Sequence, residues 1–167
     1  MKRRTFFKSS AALAVTLLAW RQGVLLPARE TINQIPEFHF LTKPDIELLR
    51  LMLPTLLPFK EWNVESISEF APELDGTVAL MEPTVASDVR TLFDLFQLAP
   101  VRLWFGLPSL DKATPKQMEQ VLAKMQSSRL PDLRAAAMGF NEIICGVYYS
   151  NPATDHEIGY APPLDLL

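Results

Sequence analysis

The sequence predicts an all-α fold, a small orthogonal helical bundle closed by an extended, proline-rich carboxy-terminal tail. Three observations carry that reading. Apolar residues recur at spacings of three and four along several segments, and no segment alternates convincingly as a strand would. Proline is common at 14 residues and glycine scarce at 6, a balance that suits short helices cut by prolines better than hairpins. A chain of 167 residues, 49% of them hydrophobic and 21% charged, has room for one domain with a real core.

Residues 29–41 lack strong periodicity and read as a linker into a domain covering 42–167. Thr42-Lys43-Pro44-Asp45 places a hydroxyl cap, an early proline and an acid where a helix amino terminus favours them. Ile46, Leu49, Leu53 and Leu56 follow at helical spacing. Pro54 and Pro58 predict a bend or break near Leu53 and an end before Phe59. The polar stretch 60–71 carries no clear pattern, and a short helix is expected over 72–81, with Glu82-Pro83 closing it.

Over 84–98, Val85, Val89, Leu92, Phe93 and Phe96 share one face and Asp88, Thr91 and Asp94 the other, an amphipathic helix. Residues 99–113 read as an ordered loop or a short turn of helix. Thr114-Pro115-Lys116-Gln117 is a capping-box sequence with proline at the first helical position. Met118, Val121, Leu122 and Met125 form the buried stripe behind it. The longest helix is predicted over 131–149, apolar at Leu133, Ala136, Ala137, Phe140, Ile144 and Val147, and the tail 150–167, with three prolines, must be extended or turned.

Charge is distributed unevenly. The first 28 residues hold Lys2, Arg3, Arg4, Lys8 and Arg21 and no acid, and the rest carries 11 basic against 19 acidic residues. An acidic domain of this kind is a poor match for the nucleic-acid backbone, which needs clustered Lys and Arg. The head K-R-R-T-F-F-K followed by an apolar stretch over 9–20 has the layout of a secretory signal, too short to span a bilayer comfortably. It resembles the twin-arginine export signal, whose usual form is Ser or Thr, Arg-Arg, any residue, Phe, Leu, Lys. Arg3, Arg4, Phe6 and Lys8 match, whereas Lys2 and Phe7 depart. The alternative is an ordinary basic Sec-type signal. Leu26-Pro27-Ala28 ends on a small residue without an A-x-A pattern, so removal after 28 and an uncleaved anchor both stay open.

The twin-arginine route carries folded proteins, commonly ones that acquire a cofactor or a partner before export. This chain shows no Gly-rich dinucleotide loop, no metal-spaced Cys/His cluster and no haem motif. The expectation is therefore that it binds no cofactor itself and escorts a folded, cofactor-loaded partner through the twin-arginine translocase.

The search for chemistry inside the domain is short. Cys145 is the only cysteine, which excludes an intramolecular disulfide and covalent c-type haem, and its apolar surroundings predict a core position. His39 and His156 lie far apart, and Asp155-His156-Glu157 reads as a solvated loop. No G-x-S-x-G elbow accompanies the serines. The acidic pairs Asp45/Glu47 and Glu65/Glu69 read as solvated helix faces. No catalytic or metal-binding residue is expected. Tyr148 and Tyr149, with Trp104, Phe105 and Tyr160, either contribute to an exposed aromatic patch of the kind that marks an interface or pack in the core.

Taken in order, K-R-R-T-F-F-K, L-T-K-P-D-I-E-L-L-R-L-M-L-P-T-L-L-P, T-L-F-D-L-F, Y-Y-S-N-P and E-I-G-Y-A-P-P give the chain a resemblance to the small third subunit of gluconate 2-dehydrogenase and its relatives. The tail departs, with A-P-P where a Gly-Pro would follow the Gly-Tyr. The resemblance implies a non-catalytic partner of a large flavoprotein dehydrogenase of the glucose-methanol-choline class, which holds FAD and oxidises a sugar, sugar acid or other alcohol. It also implies a periplasmic location beside the cytoplasmic membrane, and haem c in a further cytochrome subunit in some complexes. Partner contact is expected at Trp104, Phe105, Tyr148, Tyr149, Tyr160 and Pro162. A free-standing periplasmic binding domain is the alternative, and an enzyme in its own right has only scattered Tyr, His and carboxylates in support.

Overall fold

The computed structural model describes residues 35–154, and within them the chain is all-α. Six α-helices follow in order: α1 Lys43–Leu56, α2 Val64–Ala79, α3 Pro83–Leu95, α4 Ala99–Phe105, α5 Pro115–Gln126 and α6 Pro131–Ser150. Two 3-10 turns, Leu110–Lys112 and Pro152–Thr154, complete the described elements. The expected tail beyond 154 and the export-signal residues Arg3, Arg4, Phe6 and Lys8 lie outside the described residues. None of the helices among the described residues is long and apolar enough to cross a membrane.

Helix α1 runs through Pro54 to Leu56 without the expected break. Proline this close to a helix end removes one amide donor, and the last turn is still closed by Leu57 N–H to Leu53 O at 2.8 Å and by the Thr55 hydroxyl to Leu51 O at 2.8 Å. Six of its residues, from Asp45 to Leu53, are buried, so packing on several sides outweighs the proline penalty.

Helix α2 starts eight residues before the predicted position. Its signal is a cap that hydrophobic spacing does not show: the Asn63 side-chain Oδ1 accepts from Ser66 N–H at 2.9 Å while Asn63 N–H donates to the Ser66 hydroxyl at 2.9 Å. Pro72 lies inside the helix on an exposed position, where the Ser68 carbonyl left without its amide is open to water. Ile67, Phe70, Ala71, Leu74 and Val78 form the buried stripe. For α3 the prediction extends three residues too far, since helix ends at Leu95 and Phe96-Gln97 turn away. Val85, placed on the buried face, is exposed, and Asp94, placed on the solvent face, is buried.

The 99–113 segment resolves into α4, closed by Gly106 at φ 72°, a left-handed position that glycine takes without strain, and then the 3-10 turn. Thr114 caps α5 as predicted, exchanging hydrogen bonds with Gln117. Helix α6 is the spine of the bundle and packs against α1, α2, α3 and α5. Phe93, Phe96 and Phe140 meet at its centre with ring centroids 5.6–5.7 Å apart, all fully buried; truncating any one of them to alanine would cost about 3–5 kcal/mol. Where α3 packs on α6, Leu92 of α3 lies over Gly139. A Cβ there would lie 2.7 Å from Leu92 Cδ1.

Candidate functional site

Two regions carry more chemistry than packing requires. The first is an aromatic group where the α1–α2 loop meets the end of α6. Trp62 anchors it: its indole N–H donates to Leu57 O at 2.9 Å, and its ring sits edge-on to Phe70 at 5.8 Å and to Tyr148 at 5.9 Å. Tyr148 is buried at 2% exposure and contacts Phe59 at 5.6 Å. Tyr149, one residue on, points outward and stacks on Phe59 at 6.4 Å and 24°. Phe59 and Tyr149 are 52% and 45% exposed, so this stacked pair presents apolar surface to solvent on a rigid base. Lys60 Nζ lies 5.6 Å and 5.7 Å from the Trp62 and Tyr148 ring centres, a cation–π arrangement that fixes the loop. Asn151 binds the Glu73 carboxylate, which ties the residue after α6 to α2.

Of the aromatic residues expected at an interface, only Tyr149 is exposed among those described. Phe105 is buried on α4, Tyr148 is buried beneath Phe59 and Trp62, and Trp104 packs half-buried against the core. Trp104 shares no ring contact with the aromatic group, so the expected single patch is divided between α4 and the end of α6. Tyr160 and Pro162 lie outside the described residues, as does His156. Phe59 and Trp62 are the members that sequence reading missed; the run Pro58-Phe59-Lys60-Glu61-Trp62, two rings in a polar stretch just after a helix end, was the available signal.

The second region is a buried charge cluster at the start of the domain. Asp45 is fully buried rather than solvated, which corrects its reading as part of an acidic surface pair. Its carboxylate accepts from Arg90 Nη1 and Nη2 at 2.7 and 2.6 Å, from Thr42 N–H and hydroxyl at 2.8 and 2.6 Å, and from Gln97 Nε2 at 3.0 Å. Arg90 Nε–H donates to Asp94 at 2.8 Å and Nη1 to Phe40 O at 3.2 Å. The guanidinium lies over the Phe40 and Phe93 rings at 4.8 and 5.6 Å. Burial alone would lower the pKa of Arg90, but the Asp45 hydrogen bonds and charge, with Asp94 behind them, raise it above the ordinary arginine value. The group is therefore a permanent cation between two carboxylates.

A third buried acid, Asp75, receives three consecutive backbone amides, from His39 at 2.9 Å and from Phe40 and Leu41 at 2.8 Å each. The segment 38–42 is thus sewn to the bundle by side chains from α1, α2 and α3, and Leu41 is part of the core. The packed unit takes in residues that periodicity alone assigns to a linker. A cavity of ≈ 450 Å³ lies beside it, lined chiefly by Ile35, Phe38, Ile46, Ile67, Ala71 and Pro72.

Cys145 is half-buried rather than a full core residue, with its thiol 3.6 Å from Asn141 Oδ1. Burial raises its pKa above that of a free thiol, the opposite of what activates a nucleophilic cysteine. Among the described residues no group of three or more His, Cys, Asp or Glu side chains is placed to hold a metal ion. No protein-family model, curated protein or solved structure matches the chain.

Proposed function

We propose that this protein is the non-catalytic small subunit that escorts and stabilises a flavin-dependent dehydrogenase, of the glucose-methanol-choline type, during twin-arginine export. The observation that carries the reading is the head K-R-R-T-F-F-K, with Arg3, Arg4, Phe6 and Lys8 in the twin-arginine positions, on a chain whose resemblance is to accessory subunits. The exposed Phe59–Tyr149 stack supports it, because paired aromatics on a rigid base suit a protein interface. In this reading FAD belongs to the large partner subunit, which oxidises a sugar, sugar acid or alcohol. A cytochrome c subunit extends the complex where electrons pass to the respiratory chain. The assembly sits in the periplasm at the cytoplasmic membrane, held there by the complex or by an uncleaved signal.

The test is an affinity pull-down of the tagged full chain from periplasmic and membrane fractions, with mass spectrometry and an absorbance scan for flavin. A stoichiometric flavoprotein, lost when Phe59 and Tyr149 become Ala and left unexported when Arg3 and Arg4 become Lys, supports the escort. A second reading, a free-standing periplasmic binding domain, is favoured by the ≈ 450 Å³ cavity, which falls within the size range of small-molecule sites. A colourless monomer that retains a small molecule through purification would select it over the escort.

A further inference from the structure

Asp75 does no work inside its own helix. It is buried at 4% exposure, and its two carboxylate oxygens face the backbone of a segment 34 to 36 positions earlier in the chain. Fixing three consecutive amides with one buried carboxylate is a demanding arrangement, since the acid is costly to desolvate unless all three donors are present. The other fastenings of the same segment come from different helices. Arg90 of α3 holds Phe40 O, Asp45 of α1 holds Thr42 N–H, and the Phe40 ring packs edge-on against Phe93 at 5.5 Å.

We infer that residues 38–42 form a latch that closes only on an assembled α1–α2–α3 bundle and ties the stretch before it to the folded domain. The dependence is asymmetric. The latch needs α2 and α3 docked beside the start of α1, because Asp75 and Arg90 reach residues 39–41 from 34 to 50 positions along the chain, whereas Asp45 holds Thr42 within the α1 cap itself. The latch adds Leu41 and the Phe40–Phe93 edge contact to the core, but the Phe93–Phe140 and Phe96–Phe140 contacts and the packing of α1 on α6 do not involve residues 38–42. In a chain whose helices have not docked, Phe38, Phe40 and Leu41 are free of these fastenings and open to proteases that cut beside large apolar residues. Resting on the export reading, this gives the latch a use: a folded domain keeps its leader, and an incompletely folded one is severed from it.

Native-state hydrogen exchange of the full chain, with rising sub-denaturing urea, tests the latch without reference to export. In the wild type, amides 39–41 should be protected and should open with a shallower urea dependence than α6 amides such as that of Ile144. Asp75→Asn should speed exchange at 39–41 on the order of 10- to 100-fold, as loss of a buried charged acceptor implies, and should open thermolysin cleavage at 38–41, while Ile144 changes little. Leu74→Ala, which loosens α2 itself, should speed both sets. Unprotected amides at 39–41 in the wild type, or an Asp75→Asn variant that exposes α6 equally, would overturn the latch. A latch that behaves as described on a protein that captures no flavoprotein would leave the device standing and remove the escort.

Discussion

Replacing Arg90 by methionine is the sharpest probe of the buried cluster. Methionine fills most of the aliphatic volume, so the cavity left behind is small and the loss is mainly electrostatic. What disappears is a bidentate contact to a fully buried carboxylate, a second ion pair to Asp94 and a hydrogen bond to Phe40 O. Removing one partner of a buried pair costs about 3–5 kcal/mol, because the remaining carboxylates stay desolvated without a cation. A domain of this size is stable by roughly 5–15 kcal/mol, so Arg90→Met should forfeit about a fifth of that or more. Urea unfolding followed by far-UV circular dichroism measures the difference directly. Adding Asp94→Met should restore part of it by removing one stranded charge. Changing Asp45 should restore nothing, because Asp45 also accepts from Thr42 and Gln97. An Arg90→Met loss below about 1 kcal/mol, the range of exposed pairs, would refute the reasoning that burial makes this cluster energetically costly to break.

Three further outcomes follow from local geometry. Gly106→Ala should destabilise by about 1 kcal/mol, because φ 72° strains any L side chain even though a Cβ meets nothing within 4 Å, and thermal melts will show it. Gly146→Ala, inside α6 with equally open space around a Cβ, should instead stabilise by up to about 1 kcal/mol through helix propensity; equal effects at the two sites would sink the distinction. Cys145 should alkylate more slowly at pH 8 than a free thiol and recover the ordinary rate in denaturant, because burial raises its pKa. The sign of the linkage is that an unfolded chain gives up this proton first, so stability should fall as pH rises past the ordinary thiol pKa.

The helices that were legible in the sequence are those whose caps and stripes agree. In α5, Thr114, Pro115 and Gln117 mark the start and Met118, Val121, Leu122 and Met125 the buried face, and the structure keeps every one of these roles. The α6 stripe is equally plain. Proline is the weaker guide: Pro54 and Pro72 both sit inside helices, because a helix held by buried residues on either side tolerates one missing amide. The start of α2 is marked by the Asn63–Ser66 cap and not by Pro72.

The charge cluster escaped for a different reason. Acids are ordinarily solvated, so residue type alone places Asp45 and Asp94 at the surface, and only three-dimensional closure brings Arg90 between them. One sequence signal was present: Asp75 follows Leu74 on a stripe whose neighbours Ala71 and Val78 are buried, and Arg90 stands beside Val89 and one turn before Asp94. Charged residues embedded in a buried stripe must find partners, and a segment lacking its own periodicity, such as 38–42, is where such partners are to be sought. The aromatic face shows the converse. Residue type does not distinguish the rings, yet burial separates Tyr148 from Tyr149, one residue apart, because successive positions on a helix point about 100° from each other. Exposure at the end of α6 therefore depends on Phe59, supplied from a loop about 90 residues away along the chain. A surface built from such a pairing exists only when α1, α2 and α6 are packed together, so any partner that reads Phe59 and Tyr149 as one stack necessarily reads a folded domain.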